Sequence, residues 1–315
     1  MAELYRDFSD FIAGYFKGKI QKISVNAGFT CPNRDGTVGT GGCTYCNNQS
    51  FNPDYCHPAL SVIGQIEKGK EFFARKYPSM EYLAYFQAYT STHGDMARLM
   101  DAYGEALSVD GVRGLVIGTR PDCMPDELLE RLSALNRSKF ILIEYGAESS
   151  HDCTLRLINR CHDWKCTEDA VMRTSKAGIP VGLHLIMGLP GETEDDMLLT
   201  VDRVSQLPLQ TVKLHQLQLL KGTRMAADVD NGVYDIRRYT VDEYIDLCCR
   251  VVERMNPDIA IERFTSQSPA GLLLYPRWGL KNYEFVNLLN NRLRKLGIRQ
   301  GALFSNTDCH VSGAQ

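Results

Sequence analysis

Apolar and polar positions along the chain alternate between two periods. Short apolar runs that read as strands lie at 22–29 (KISVNAGF), 82–89 (YLAYFQAY), 115–121 (LVIGTRP), 140–149 (FILIEYGAES), 180–188 (PVGLHLIMG) and 211–220 (TVKLHQLQLL). Between them the spacing becomes helical: Met96, Leu99, Met100, Tyr103 and Leu107 follow the second run, and Leu128, Leu129, Leu132 and Leu135 the third. Thr193 with Asp196, and Thr240 with Glu243, make capping-box patterns ahead of two further helices. Their apolar positions include Met197, Val201 and Val204, and Tyr244, Cys248, Val251 and Met255. Strands that alternate with helices predict a parallel sheet joined by right-handed crossovers. The six units predict an α/β fold, a partial (β/α)6 TIM-like barrel with short N- and C-terminal extensions, with a flat doubly wound sheet as the alternative. No repeat or low-complexity linker marks a break, so the expected organisation is a core at 1–270 and a basic C-terminal extension at 271–315 packed on it.

Composition narrows the class of protein. The 315 residues are 44% hydrophobic and 23% charged, with no apolar run near the roughly 18 to 20 residues of a membrane helix. The opening stretch MAELYRDFSDFIAGYFKGK scatters Phe and Tyr among charges, unlike a secretory signal, and the expected location is cytoplasmic, with no membrane partner. Eleven cysteines are too few for this length, and odd in number, for a disulfide scaffold; reduced thiols are expected. A net charge of −3 argues against a surface that coats nucleic acid throughout, and leaves room for a local basic patch.

In a barrel of this kind the carboxyl ends of the strands form the active face. The stretch CPNRDGTVGTGGCTYC (31–46) follows the first strand directly and places Cys31, Cys43 and Cys46 there. A structural zinc wants four ligands, usually as two close pairs, and Cys56 or His57 would have to supply the fourth. A redox dithiol has no use for the third cysteine. A 4Fe-4S cluster held by three thiolates leaves one iron open to a small molecule, which suits chemistry more than structure. Cys153, Cys161, Cys166, Cys248, Cys249 and Cys309 show no metal spacing and read as packing or spare thiols.

Three cysteines after the first strand, with the aromatic Tyr45 just before the last, resemble the radical S-adenosylmethionine (SAM) superfamily, in which SAM chelates the open iron. The wide gap from Cys31 to Cys43 is similar to that of the branch around the Elongator catalytic subunit. The runs YFQAYTST (85–92), YGAESS (145–150), NRCHDW (159–164), LIMGLPGET (185–193) and KLHQLQLLKGT (213–223) resemble, in order, the YhcC-like family, over residues 15 to 290 or so.

The resemblance implies a 4Fe-4S cluster and SAM as cofactors, with reductive SAM cleavage to a hydrogen-abstracting 5′-deoxyadenosyl radical and an electron donor such as a flavodoxin or ferredoxin. It implies Tyr45 beside the cluster, Gln87 at the SAM amino group and Arg160 at its carboxylate. Ile186 and Gly188, in the run to Gly191, would lie at the adenine. Glu148, at a strand end, suits the ribose diol, since a carboxylate accepts two hydroxyl hydrogen bonds. Bland alternatives stand beside these roles: core packing for Gln87, a surface salt bridge for Arg160, a solvent-facing carboxylate for Glu148. On the substrate side His184 and His215, in neighbouring strands, point into a barrel or pack as core histidines; His93 is similar. Arg120 would hold an anionic substrate or make a surface ion pair.

Two features lead toward RNA. Arg277, Lys281, Arg292, Arg294, Lys295 and Arg299 face only Glu284 between 277 and 300, with Tyr275, Trp278 and Tyr283 nearby, a composition that grips single-stranded RNA. The same segment also reads as an amphipathic closing helix with Val286, Leu289, Leu293 and Leu296 inward. The resemblance further implies tRNA as partner and wobble uridine as target, in a conversion of 5-carboxymethylaminomethyluridine to 5-aminomethyluridine, without Elongator's acetyltransferase domain. The competing readings are a radical SAM enzyme for a small metabolite or peptide, and a non-catalytic iron-sulfur or zinc module that binds RNA. The last gives Glu148, Arg160 and Gln87 nothing to do.

Overall fold

The computed structural model describes residues 3–50, 52–74 and 80–306; Cys309 lies outside them. Seven parallel strands form one sheet in the order β1 (Ile20–Val25), β2 (Glu81–Phe86), β3 (Val112–Thr119), β4 (Phe140–Glu148), β5 (Val181–Met187), β6 (Thr211–Gln216) and β8 (Ala260–Arg263). The six expected strands are present, and their sheet curls into the expected partial barrel. Beyond shifts of a few residues at the strand ends, two features differ from the expectation. The last expected run breaks after Gln216, and Leu219–Leu220 (β7) pairs antiparallel with Leu273–Tyr275 (β9) in a small second sheet. The added strand β8 has the sequence AIER, four residues with two charges, too short and too polar to announce itself by periodicity.

Both faces of the sheet are covered, and for that reason the central strands β3, β4 and β5 are mostly apolar. All nine residues of β4 are buried. Ile141, Ile143, Tyr145 and Ala147 pack outward on the helices, whereas Phe140 and Leu142 point into the barrel. At the amino ends of the strands, Leu83, Val116, Phe140 and Leu142 meet Phe11 and Ile12 of the helix Phe8–Ala13, which plugs that end. Asp7 bridges to Ile261, so the segment before the plug also covers the β8 edge.

One layer higher the interior changes from apolar to ionic. Lys22 of β1 lies 2.9 Å from Glu144 of β4 and 2.7 Å from Glu262 of β8, and Lys213 of β6 reaches Glu144 at 2.5 Å and Glu262 at 3.2 Å. Side chains from both edge strands therefore meet inside.

The helix Asn282–Leu296 buries Phe285, Leu289 and Leu293 in the main core, and Trp278 stacks on Phe285 with ring centroids 6.1 Å apart. Val286 is half-buried and Leu296 exposed, so the inward face is narrower than its pattern suggested. Among the described residues no helix is long and apolar enough to cross a membrane.

Candidate active site

A cavity of about 260 Å³ opens at the carboxyl ends of the strands, with Cys31, Cys43 and Cys46 at one side and Tyr85, Glu144 and Lys213 on its floor. The cysteine loop is folded by its own backbone: the Arg34 N–H donates to the Cys31 carbonyl at 2.8 Å, and Cys46 to Cys43 at 3.0 Å. The segment 158–161 grips it from outside. Asn33 Nδ2 donates to the Asn159 carbonyl at 2.6 Å, Asn159 Nδ2 to the Gly42 carbonyl at 2.8 Å, and the Thr44 N–H to the Ile158 carbonyl at 3.0 Å. A Cβ on Gly39 would stand 2.4 Å from Asn33 Oδ1, so only glycine lets the loop close around that side chain. His93 sits outside the cavity, 2.9 Å from Asp35, and ties down the loop's outer edge. The Thr37 hydroxyl and N–H, with His93, hold the Asp35 carboxyl down at about 2.

The donor set fits an iron-sulfur cluster. Among the described residues no three His, Cys, Asp or Glu side chains converge on one point as a single metal ion requires. Cys56 is buried away from the cavity, its thiol pushed up to about 12 by burial, and His57 is exposed. In a cube each thiolate takes a different iron, so three thiols ringing one side of an open cavity suffice. Hydrogen-bond donors stand ready for sulfur: Arg160 Nη1 lies 3.4 Å from Cys43 Sγ and Asn33 Nδ2 at 3.7 Å. Buried atoms without a partner, Arg160 Nε and Arg120 Nη1, belong to residues that line the same cavity.

Glu148 is turned into the cavity by two local distortions. The β4 register slips between Gly146 and Glu148, and Glu148 itself has a left-handed φ of 67°. Its carboxylate lies 3.5 Å from Arg160 Nη2, which also donates to the Gly146 carbonyl at 2.6 Å. Burial opposes the Arg160 charge, but Tyr45, Cys43 and Glu148 around it hold its pKa well above the ordinary value. Neither residue is a solvent-facing ion pair. Gln87 lines the cavity and donates to Ser24 Oγ at 2.8 Å. Tyr45 and Ile186 line it too, against an apolar patch that includes Leu155, Ile158 and Leu217. Gly188, with φ 93°, turns instead toward Tyr239 and lies off the main cavity, because the chain leaves the sheet there.

On the floor, His184 lies 3.0 Å from Glu144 and 5.4 Å, ring to ring, from His215. Burial, then the neighbouring cations, pushes both imidazoles toward the neutral form. Arg120 is engaged in a different way from that expected: its Nε and Nη2 fork onto Asp122 at 2.9 and 2.8 Å, and Nη2 also donates to the Arg160 carbonyl at 2.8 Å, which leaves only Nη1 without a partner. Its charge is already matched, and it positions Arg160. Sequence reasoning passed over Lys22, Tyr85, Glu144, Lys213, Glu262 and Arg263. The available signal was a charge inside an apolar strand, as in FILIEYG and TVKLH. Burial pushes the Lys213 ammonium down to about 8, although Glu144 and Glu262 oppose it. Lys22 remains raised because its two carboxylates outweigh burial; its side chain is 13% exposed against 2% for Lys213.

The carbons and sulfurs of this site have a recognised setting. Residues 31–204 match the Radical SAM superfamily model, and 209–295 the Radical_SAM C-terminal domain model. The chain belongs to the radical SAM superfamily, whose members carry a 4Fe-4S cluster and cleave SAM reductively, and it is an enzyme of that class. It is 35% identical over 300 residues to the Uncharacterized protein YtqA of Bacillus subtilis, covering 95% of this chain and 92% of that one. Within the superfamily it belongs to the family of YtqA and of the Escherichia coli protein YhcC. A shorter match reaches the tRNA uridine(34) acetyltransferase of Methanocaldococcus infernus, 23% identical over 188 residues, 59% of this chain and 34% of that one. The fold is similar to that of the archaeal Methanocaldococcus infernus Elp3, with a TM-score of 0.65 at 16% identity, covering 90% of this chain and 64% of that one.

Proposed function

We infer that the enzyme modifies a wobble uridine of tRNA, in a conversion of the 5-carboxymethylaminomethyluridine to 5-aminomethyluridine type. The observation that carries this reading is a deep cavity that joins the three cysteines to a charged floor, in a chain whose partial sequence match includes a tRNA uridine(34) acetyltransferase. Cys31, Cys43 and Cys46 would hold the cluster, and with SAM bound it supplies hydrogen abstraction from an unactivated carbon.

The protein's own side chains divide the remaining work. Arg160, held by Gly146 and supported from behind by Arg120, offers a fixed guanidinium to the SAM carboxylate. Glu148 accepts from the ribose hydroxyls, Gln87 takes the amino group, and Ile186 lies against the adenine. Tyr45 and its apolar neighbours keep water from the reacting end. The His184–Glu144–Lys213 chain on the floor can move a proton at His184 Nε2 without exposing a bare charge. Arg277, Arg294, Lys295 and Arg299 are exposed, as is Tyr283, and make a basic face for RNA. A flavodoxin- or ferredoxin-type donor would supply the electron.

The test is direct. Wobble nucleosides are compared in strains with and without the gene, and the purified, anaerobically reconstituted protein is then given the accumulated tRNA. Accumulation of the carboxymethylamino form and its conversion in vitro, with 5′-deoxyadenosine as co-product, is the expected result. Identical wobble nucleosides in the two strains would remove tRNA from consideration and favour a small metabolite or peptide.

A further inference from the structure

The partner of Lys213 across the β6–β8 pair is Arg263, whereas Val212 faces Ile261, so the ladder skips Glu262. That extra residue is a β-bulge, and bulges re-aim side chains at the rims of barrels. Its effect is that two consecutive residues serve the interior. Glu262 turns to Lys22 and Lys213, and Arg263 lines the cavity. Four charges of the floor cancel: Lys22 and Lys213 against Glu144 and Glu262. Arg120 is matched by Asp122, and Arg160 by Glu148. The Arg263 side chain makes no hydrogen bond or ion pair among the described residues. Beside it, His215 Nε2 is buried and also lacks a partner. The amide oxygens that could have served Arg263 are occupied, since Gln216 Oε1 accepts from the Ser266 N–H at 2.8 Å and Gln218 Oε1 from Ser268 Oγ at 2.6 Å. A guanidinium fork and an unpartnered imidazole nitrogen, which donates in the tautomer with its proton on Nε2, share one wall with every nearby carboxylate spoken for, and they complement an oxyanion.

We propose that Arg263 and His215 form an anion subsite that takes a carboxylate of the substrate and sets the substituent's depth in the cavity. This rests on the reading that substrate enters between the cysteines and the floor. On a uridine substituent the carboxylate would dock at this wall, leaving the carbon next to it toward the cysteine side.

The probes are the free nucleoside 5-carboxymethylaminomethyluridine and its carboxamide, titrated into the cluster-loaded protein with SAM present. They differ by one charge, so the comparison reads the subsite alone. The acid should bind about 10-fold more tightly than the amide. Arg263→Gln should erase that preference with SAM affinity unchanged, and Arg263→Lys should keep part of it. Equal binding of acid and amide, binding of neither, or a preference that survives in Arg263→Gln would overturn the subsite. So would a preference for uridine 3′-phosphate over the acid, which would assign the wall to backbone phosphate. If the acid is preferred but an anticodon stem-loop carrying 5-carboxymethylaminomethyluridine binds no more tightly than the free nucleoside, the subsite stands and the tRNA reading falls.

Discussion

Lys22 and Glu262, carried by the two edge strands of the sheet, form an ion pair at 2.7 Å inside the barrel. A flat sheet would hold β1 and β8 six strands apart, so this contact records the curl that makes the cavity. Removing one member leaves a charge buried with too few partners. Lys22→Met should cost about 3 to 5 kcal/mol of stability, and adding Glu262→Gln should recover part of it. Urea unfolding of the two single variants and the double gives the coupling; a coupling near zero would mean that the pair does not hold the edges together.

The cysteines offer the sharpest contrast. Cys31→Ala, Cys43→Ala or Cys46→Ala should each abolish the iron-sulfur absorbance after reconstitution and all 5′-deoxyadenosine formation. Cys161→Ala should leave both, although Cys161 Sγ lies 3.2 Å from Asn33 Oδ1 against the same loop. Retained iron in a Cys43 variant would count against the ligand set.

Gly146 separates cluster binding from SAM binding. A Cβ there would stand 2.6 Å from both Arg160 Nη2 and Glu148 Oε1, the far ends of two side chains rather than backbone, so the clash displaces this pair and its bond to the Gly146 carbonyl before the strand. Gly146→Ala should keep its iron and lose about 10-fold in SAM affinity through misplacement of that pair. Unchanged SAM affinity by equilibrium dialysis would show that the pair does not touch SAM.

Acid should destabilise the fold from about pH 6.5 downward, through its buried histidines. Burial pushes His162 down to about 3, and also lowers His184 and His215. The unfolded chain binds protons near 6.5 that the folded chain refuses, so this stability is complete above 6.5 and falls with pH toward the folded values. The limit is about 1.4 kcal/mol per pH unit for each histidine. Urea midpoints at pH 7 and 5.5 should show the fall, and His162→Gln should make it shallower. A midpoint that does not move would contradict neutral burial.

The basic helix separates packing from binding. Arg292 is half-buried and paired with Asp242 at 2.9 Å and with Asp246, so Arg292→Glu should act on stability. Arg294 and Lys295 are exposed, and their double change to Glu should weaken tRNA binding by about 10-fold and flatten its salt dependence. Filter binding across salt concentrations tests both; tRNA affinity that ignores Arg294 and Lys295 would take this face out of the RNA reading.

The sequence by itself determined the strand–helix alternation, the six longer strands, and the placing of Cys31, Cys43 and Cys46 after the first of them. These are local: burial period and loop chemistry lie within a few neighbouring residues. Glu148 and Arg160 were legible as residues, but their contact was not, since it depends on a register slip and a left-handed φ at a strand end. Arg120 showed its charge, yet only the fold brought Asp122 and the Arg160 carbonyl onto it. Tertiary structure alone decided the charged floor, because Lys22 and Glu262 stand 240 positions apart and meet only when the sheet curls. It also decided Arg263, which a one-residue bulge in a four-residue strand turns from an ordinary edge charge into a wall of the cavity. Periodicity reports which face a side chain takes along its own strand; curvature and bulges, which depend on neighbouring strands, decide what it meets there.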